Sequence, residues 1–331
     1  MSVQGECVKQ YLEKTPNAPA LTLAKQIYKE NPSLFSNVEN ARKIIRYYIG
    51  QNGTHHREHA TCKDFYREPG DRKPFDDLPD GMKYLEDFTP VRIAEKKTLV
   101  IADIHAPYHD KPALLIALEY GYKSGGDGVL ILGDLHDFFS VSFWEKDPRK
   151  RGFQYELEIT RSIYESIATG FPGAKKRIKI GNHEERYERY LGVKAPELLG
   201  VDAFEFAVIT HCEKHGFEVV GDRKIVKIGT LNLVHGHEFG RSISAPVNPA
   251  RGLFLRAKTH CLCAHHHQPS YHPEPDMNGK VIGCWSIGCL CDLHPQYLPI
   301  NKWQHGFAVV ESLGDDEFHV DNKVIIKGKV Y

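Results

Sequence analysis

Thr98-Leu-Val-Ile-Ala-Asp-Ile-His105 is the stretch that decides the fold of this 331-residue chain. Its first half is a run of apolar and β-branched residues, and its second half carries a carboxylate and an imidazole. A run of roughly four to eight such apolar residues is typical of a buried β-strand. The stretch therefore predicts a core strand that ends in polar side chains able to bind a metal.

Three more apolar runs end in a polar residue in the same way. They are Gly128-Val-Leu-Ile-Leu-Gly-Asp134, Arg177-Ile-Lys-Ile-Gly-Asn182 and Leu231-Asn-Leu-Val-His235. Four compact motifs rich in His and Asp lie at or beyond such runs: Gly133-Asp-Leu-His-Asp137, Gly181-Asn-His-Glu184, His235-Gly-His237 and Ala264-His-His-His267. Polar groups at the ends of rigid strands are well placed to form a functional site. We therefore expect these motifs to contribute to one metal site.

In this order, the motifs resemble those of the calcineurin-like metallophosphoesterase superfamily. Its pattern is Asp-x-His, Gly-Asp-x-x-Asp, Gly-Asn-His-Glu/Asp, a lone His and Gly-His-x-His, and all five occur between residues 103 and 267. Agreement of five independent spacings makes the match specific. One departure is Ala264, which stands where the family usually has Gly. The resemblance implies an α/β protein with the family's four-layer α/β/β/α sandwich and a site at the shared edge of both sheets.

The resemblance also implies two divalent metal ions. By the family pattern, one metal would be bound by Asp103, His105 and His267, the other by Asn182, His235 and His265, and both by the bridging Asp134. Alternate residues on a strand point to the same side, which supports pairing Asp103 with His105 and His265 with His267. Mixed His, Asp and Asn ligands suit Mn²⁺, with Fe or Zn²⁺ as alternatives.

The family pattern gives His183 and Asp137 catalytic roles rather than ligand roles. Two cations about 3.5–4 Å apart can hold one hydroxide for attack on phosphorus. His183 would then act as general acid, a role typically worth about 10²- to 10⁴-fold in rate. Asp137 would orient that imidazole and hold its charged form. The chain is therefore expected to be a metal-dependent phosphoesterase.

The substrate class is less sharply indicated. Phe138 follows the second Asp, where the Ser/Thr protein phosphatases carry Arg, so the motif resembles the repair-nuclease and general phosphoesterase branches. The whole layout also resembles phage or prophage phosphoesterases. We expect a phosphodiesterase that acts on nucleic acid, such as DNA, or on nucleotides. The alternatives are a phosphomonoesterase acting on a phosphoprotein or small metabolite, and a non-catalytic scaffold that has kept the fold.

The chain divides into three segments by sequence. Residues 1–57 predict three short helices, which form either a helix-turn-helix nucleic-acid reader or a small bundle that binds protein. The second interpretation is favoured because residues 1–60 hold eight Lys/Arg against five Asp/Glu, an excess of only +3. Residues 58–97 are rich in Pro, Gly, Asp and Lys and predict a linker or wrapping segment. Residues 98–331 are the expected catalytic domain.

Within that domain, alternating strands and helices up to about residue 180 predict a wound α/β half. From Phe217 onward, short and closely spaced strand-like segments, with one helix over Pro249 to Lys258, predict the opposing sheet. The formal net charge is zero, and no apolar run approaches the roughly 20 residues that span a bilayer. Eight Cys at irregular spacings do not indicate a secreted disulfide framework. An intracellular, cytoplasmic protein that does not enter the membrane is expected.

Several residues near the motifs are weaker candidates. His136, His237 and His266 are expected beside the ligands, away from the chemistry. The paired Cys-x-Cys sequences around Cys261 and Cys289 are expected to be small buried thiols rather than a zinc cluster. Arg186, Arg189, Arg251 and Arg256 could touch phosphate, but the favoured expectation for all four is the surface or a salt bridge. The segment Tyr297-Leu-Pro-Ile-Asn-Lys-Trp-Gln-His-Gly306 could form a substrate wall, with Trp303 stacking on a base.

Overall fold

The computed structural model describes residues 2–15, 18–49, 89–145, 152–221, 224–242 and 247–331. The chain divides into two compact units, Met1–Tyr84 and Leu85–Tyr331. Most of the segment predicted as a linker, from residue 58 to residue 88, lies outside the described residues.

The described part of the first unit contains three helices, α1 (Val3–Lys14), α2 (Ala20–Glu30) and α3 (Val38–Tyr48). The Ser2 hydroxyl accepts a hydrogen bond from the Gly5 N–H and caps α1, and the Asn37 side chain caps α3 in the same way. Each helix turns an apolar stripe inward, so that a small core forms from Val8, Leu12, Leu23, Ala24, Ile27, Phe35, Ala41 and Ile45. The predicted N-terminal helical domain is confirmed.

The larger unit is built from strands and from helices that connect them. In chain order, its strands are β1 (Val91–Arg92), β2 (Lys97–Ile101), β3 (Gly128–Ile131), β4 (Lys175–Lys179), β5 (Phe217–Val220), β6 (Val226–Ile228), β7 (Leu231–Val234), β8 (Cys261–Cys263), β9 (Ser270–Pro275), β10 (Val281–Ser286), β11 (His305–Gly314), β12 (Glu317–Ile326) and β13 (Lys329–Val330). Its α-helices are α4 (Lys111–Lys123), α5 (Phe153–Gly170), α6 (Glu185–Lys194), α7 (Phe206–Thr210) and α8 (Pro249–Ala257). None of the helices in the described ranges is long and apolar enough to cross a membrane.

Two sheets form from these strands. One has seven strands in the order β13-β12-β11-β2-β3-β4-β5, and the other has six in the order β1-β6-β7-β8-β10-β9. Strands β2 to β5 run parallel, as crossover helices between strands require, whereas β11 pairs antiparallel with β2. The opposing sheet predicted from Phe217 onward is therefore smaller than expected. Strand β5 joins the first sheet by pairing with β4, and β11, β12 and β13 join its other side because the buried run Phe307–Val310 pairs beside β2.

Strand β1 comes from the end of the predicted linker. The Val91 N–H donates to the Ile225 carbonyl at 2.9 Å, and the Ile93 N–H donates to the Lys227 carbonyl at 2.8 Å. Ile93 is buried in the core between the sheets. This two-residue strand is too short to show a period, which is why sequence pattern did not predict it.

The layers follow from three apolar cores. Helices α4 and α5 pack on one face of the seven-stranded sheet, around residues such as Leu99, Ala117 and Ile163. The other face packs against the six-stranded sheet, through Val100, Leu130 and Leu262 among others. Helix α8 covers the outer face of the six-stranded sheet, with Leu253 and Phe254 in its core. The four-layer α/β/β/α arrangement predicted from sequence is confirmed.

Candidate active site

The proposed ligands follow the ends of neighbouring parallel strands. Strands β2, β3 and β4 end just before Asp103, Asp134 and Asn182, and the carboxyl ends of parallel strands meet at one sheet edge. In the other sheet, β7 and β8 are also parallel neighbours, and they lead to His235 and to the residues around His265. Five strands from both sheets thus deliver polar side chains to the same edge.

The local geometry of the ligands differs from the one expected. Asp103 and His105 lie beyond the end of β2, so the argument from strand parity is wrong. Instead, five of the proposed ligands adopt left-handed backbone conformations: Asp103 (φ 50°), His105 (φ 48°), Asp134 (φ 55°), His265 (φ 68°) and His267 (φ 57°). Such conformations are uncommon for residues other than Gly and cost on the order of 1 kcal/mol or more each. The surrounding fold therefore holds these side chains in position against their local preference.

One group of donors contains Asp103, His105 and His267. The Nε2 atoms of His105 and His267 lie 3.2 Å apart, and Nε2 of His267 lies 3.3 Å from Oδ1 of Asp103. Nε2 of His105 lies 3.9 Å from the same oxygen and 4.0 Å from Oδ2 of Asp134. All four side chains are buried. This group matches the first metal site that the family pattern implies.

A second group forms around His235. Its Nε2 atom lies 3.1 Å from Oδ2 of Asp134 and 3.1 Å from Oδ1 of Asn182. His265 brings a ring nitrogen to the same place, within 4.8 Å of donor atoms of Asp134 and His235. Asp134 belongs to both groups, as a bridging ligand should. The structure therefore brings together all seven side chains that the sequence singled out.

The hydrogen bonds of the second group fit a cation. Nδ1 of His235 lies 2.8 Å from the Leu132 carbonyl oxygen, which can only accept, so the proton of a neutral imidazole resides on Nδ1. In that neutral form, which is the form that a metal would bind, the lone pair of Nε2 faces oxygens of Asp134 and Asn182. In the first group, the buried Oδ1 of Asp103 has no hydrogen-bond partner. Electron-rich atoms facing one another in a buried site are the arrangement that a divalent metal stabilises.

The pKa values reflect the same concentration of charge. Burial raises the pKa of Asp103, but the imidazoles of His267 and His235 outweigh it and lower that pKa to about 2. Burial lowers the pKa of His235, but the carboxylates of Asp134 and Asp103 raise it to about 10. Without a metal ion, a proton on His235 therefore supplies positive charge beside the ionised carboxylates, and a bound cation would displace that proton.

His183 and Asp137 lie beside the first donor group. Nδ1 of His183 is 3.1 Å from Oδ1 of Asp137 and 3.0 Å from its carbonyl oxygen, and the ring packs edge-on against His105 at 4.3 Å between centroids. Nδ1 of His105 approaches the same carboxylate at 3.3 Å. Asp137 is therefore placed to orient both rings. Burial lowers the pKa of His183, and the carboxylate of Asp134 and the hydrogen bond to Asp137 oppose that shift.

Glu184 is a site residue that the motif analysis did not assign. Its carboxylate is buried and accepts hydrogen bonds from the backbone N–H groups of Asp134 and Gly181, both at 2.9 Å. It also accepts from the backbone N–H of His136 at 3.0 Å and lies 3.1 Å from Nδ1 of that ring. Glu184 thus ties the loop after β3 to the loop after β4. The signal was available, because Glu184 completes the Gly-Asn-His-Glu motif.

The weaker candidates are placed as follows. His136 is fully buried and stacks on Phe138, and His237 forms a 2.8 Å contact with Glu185, so neither lies among the donors. The Cys261, Cys263 and Cys284 thiols are buried, and the first two have raised pKa values because of burial, as small structural thiols would. Cys291 is different, since its sulfur lies 4.0 Å from Nδ1 of His267.

A cavity of about 300 Å³ opens next to the first donor group. His105 and Asp137 line its inner end, and Trp303 packs edge-on against His267 with 4.1 Å between ring centroids. The remaining lining residues are Tyr108, Phe139, Cys291, Asp292, Pro295, Gln296 and Tyr297. The aromatic segment singled out in the sequence therefore forms part of the wall of this cavity.

A protein-family model matches most of the larger unit. The family model for the calcineurin-like phosphoesterase domain matches residues 96–315. The chain belongs to this family, and it is a metal-dependent phosphoester hydrolase. The family prediction made from the five motifs is confirmed.

Two phage proteins are among its relatives. The Gene 54 protein of Mycobacterium phage L5 is 27% identical over 227 residues, which cover 65% of this chain and 88% of that protein. The Gene 54 protein of Mycobacterium phage D29 is 26% identical over 226 residues, with the same coverage of 65% and 88%. Among solved structures, the E. coli phosphoesterase YfcE is 16% identical with a TM-score of 0.33, covering 68% of this chain and 98% of its own. The Pseudomonas putida nuclease MPE is 12% identical with a TM-score of 0.32, covering 71% and 86%.

Proposed function

We propose that this protein is a two-metal phosphodiesterase acting on nucleic acid or nucleotides. The observation that carries the proposal is the cavity beside the donors, whose described lining contains aromatic rings and two carboxylates but no Lys or Arg. A phosphomonoester carries up to two negative charges near neutral pH, whereas a diester carries one. A wall of this kind suits the smaller charge of a diester together with the flat face of a nucleobase.

The proposed metal ligands are the seven side chains described above. Asp103, His105 and His267 would hold one ion, Asn182, His235 and His265 the other, and Asp134 both. The mixed nitrogen and oxygen donors suit Mn²⁺, with Fe or Zn²⁺ as alternatives. Two such cations would stabilise charge on the phosphoryl oxygens and supply an activated water at neutral pH.

His183 is the proposed proton donor. Water gives one proton to solvent and its oxygen bonds to phosphorus, the bond from phosphorus to the leaving oxygen breaks, and Nε2 of His183 gives the leaving oxygen a proton. Nδ1 stays directed at Asp137, which fixes the ring. In the arrangement described, Nε2 accepts from Nη2 of Arg186 at 2.9 Å, so Nη2 must leave Nε2, and Nε2 must take a proton from solvent, before this step. Nη1 keeps its hydrogen bond to the Asp137 carbonyl.

A pair of chromogenic substrates tests the substrate class. We expect a higher kcat/KM with bis-p-nitrophenyl phosphate than with p-nitrophenyl phosphate when the protein is saturated with Mn²⁺. The opposite order would replace this proposal with a phosphomonoesterase. Hydrolysis of neither, by protein shown to hold two metal ions, would leave the scaffold interpretation.

The aromatic wall has a test of its own. Trp303→Leu should raise KM for a dinucleotide about 5- to 150-fold, because stacking on a base is worth about 1–3 kcal/mol. Trp285→Leu is the matched control, since Trp285 stacks on Tyr271 and lines a separate cavity. Equal KM values for wild type and Trp303→Leu would contradict the proposed role of the wall.

Two variants test the division of roles in the centre. His183→Ala should retain both metal ions by elemental analysis while losing about 10²- to 10⁴-fold in kcat. Asp134→Asn should lose metal, because it removes the carboxylate shared by both donor groups. If His183→Ala turned over substrate at the wild-type rate, the mechanism would need another proton donor.

A further inference from the structure

Arg186 lies in the first turn of α6 with its guanidinium turned into the site. Nη1 donates to the Asp137 carbonyl at 2.7 Å and lies 3.8 Å from Oδ1 of the same residue. Nη2 lies 2.9 Å from Nε2 of His183. Its side chain is only 12% exposed and forms an ion pair with Asp137, which is one of the two environments expected for it from sequence.

These contacts fix where the proton of the neutral His183 ring lies. The carboxylate and carbonyl oxygens of Asp137 can only accept, so Nδ1 of His183 is the donor toward them. A guanidinium can only donate, so Nε2 of His183 is an acceptor toward Arg186. The group that presents positive charge and N–H donors at this point of the site is therefore Arg186 rather than the imidazole.

The surroundings leave this guanidinium able to bind an anion. Of its five N–H groups, two are used at Asp137 and His183, which leaves donors for a further acceptor. The described lining of the adjacent cavity contains the carboxylates of Asp137 and Asp292 and no Lys or Arg that could compete with Arg186 for an anion. Arginine offers two parallel N–H groups at the spacing of two phosphate oxygens, and it keeps its charge at every working pH.

We propose that Arg186 is a catalytic residue that binds the non-bridging oxygens of the substrate phosphate. Its fixed charge stabilises the additional negative charge that develops on those oxygens as water adds to phosphorus. Asp137 holds the guanidinium in place through its carbonyl and carboxylate. The inference rests on the phosphoester hydrolysis proposed above, but it does not depend on whether the substrate is a diester or a monoester.

The experiment compares Arg186→Met, Arg186→Lys and Arg186→Ala with the control Arg189→Met. Arg189 lies one turn further along α6, is exposed, and contacts Phe143 at 5.6 Å from the ring centroid. Whichever p-nitrophenyl ester the wild type hydrolyses better serves as substrate. Inorganic phosphate, titrated into the metal-loaded protein by calorimetry, measures anion binding without turnover.

We expect Arg186→Met to lose about 10²- to 10³-fold in kcat/KM and to bind inorganic phosphate at least about tenfold more weakly, while holding two metal ions. Arg186→Lys should recover little, because a lysine cannot reproduce the bidentate geometry. Added guanidinium should partly rescue Arg186→Ala, and Arg189→Met should match the wild type.

Three results would overturn the inference. One is unchanged phosphate affinity in Arg186→Met, and another is full activity of Arg186→Lys. The third is loss of metal or of folding in Arg186→Met that Arg186→Lys restores, which would show a structural role. If the wild type hydrolyses neither ester, the proposed function fails separately, and the phosphate titration alone decides whether Arg186 binds the anion.

Discussion

A buried ion pair behind the metal centre offers the sharpest test of how the fold supports the site. Lys179, the last residue of β4, is fully buried, and its Nζ lies 2.8 Å from Oε1 of Glu238. The same carboxylate accepts hydrogen bonds from the backbone N–H groups of His235, at 3.0 Å, and Gly236, at 2.6 Å. We predict that Lys179→Met destabilises the larger unit and weakens metal binding at the His235 side.

The expected loss of stability in Lys179→Met follows from the burial of the Lys179–Glu238 ion pair. Removing one partner of a buried pair leaves the other charge uncompensated and typically costs about 3–5 kcal/mol. Burial raises the pKa of Glu238, but the Lys179 ammonium outweighs it and lowers that pKa to about 2, so the carboxylate is charged at neutral pH. Loss of a group that orients a metal ligand typically weakens metal affinity about 10- to 100-fold. Both effects should therefore appear in Lys179→Met.

Urea unfolding followed by tryptophan fluorescence measures the first effect. All three Trp residues (Trp144, Trp285 and Trp303) lie in the larger unit, so the signal reports that unit alone. Calorimetric titration with Mn²⁺ measures the second effect. The double variant Lys179→Met/Glu238→Gln removes both charges and should be more stable than Lys179→Met alone, because no unpaired charge remains.

The control is Lys175→Met, an exposed lysine on the same strand, which should change the free energy of unfolding by less than about 0.5 kcal/mol. The reasoning is refuted if Lys179→Met unfolds at the wild-type urea concentration and binds Mn²⁺ with unchanged affinity. It is also refuted if the double variant is less stable than Lys179→Met, because the destabilisation would then not arise from an unpaired carboxylate.

Three further predictions concern pH, backbone geometry and metal binding. Burial raises the pKa of Glu156 to about 7, so its contribution to stability is complete below its ordinary value and is lost as pH rises through about 7. In Glu156→Gln, the free energy of unfolding should vary by on the order of 3 kcal/mol less between about pH 5 and about pH 8 than in the wild type. An equal change of this free energy with pH in both proteins would contradict the prediction. Gly133 has φ +90°, and a Cβ there would lie 2.4 Å from Nδ1 of His235. Gly133→Ala should therefore lower both Tm and the metal content, and an unchanged metal content would contradict this prediction. Saturating Mn²⁺, at about 100 times Kd, should stabilise the wild type by about 2.7 kcal/mol and raise Tm by about 5–10 °C, an increase that Asp134→Asn should lack.

The sequence predicted correctly those features that depend on local, repeated patterns of apolar residues. Apolar runs such as Thr98 to Ile101 could only be buried strands, and polar residues at their ends had to meet once the strands were parallel neighbours. The five motif spacings added the family. Together these features predicted the layers, the edge that carries the site and the side chains that the structure gathers there.

The failures have a common physical cause, which is that loop geometry and tertiary pairing leave little trace in a local pattern. The left-handed conformations of Asp103 and His105 replace the strand parity that seemed to bring them together. The sequence pattern also does not reveal that Lys179 is buried against Glu238, which lies far away in sequence. Helical periodicity likewise does not reveal that Asp137 lies against the guanidinium of Arg186.

The placement of the donors gives the metal centre a structural role as well as a chemical one. Asp103, Asp134 and Asn182 extend from the seven-stranded sheet, whereas His235 and the residues around His265 extend from the six-stranded sheet. Apart from the apolar core between them, the sheets meet at this edge through polar atoms that mostly face other acceptors. Without metal ions, protons on His235 and His267 offset part of the carboxylate charge, because, despite burial, Asp134 and Asp103 raise the pKa of His235, and Asp103 that of His267, to about 10. With cations, the same atoms become the bonds that join the two sheets, so metal binding and stability of the sandwich must rise and fall together.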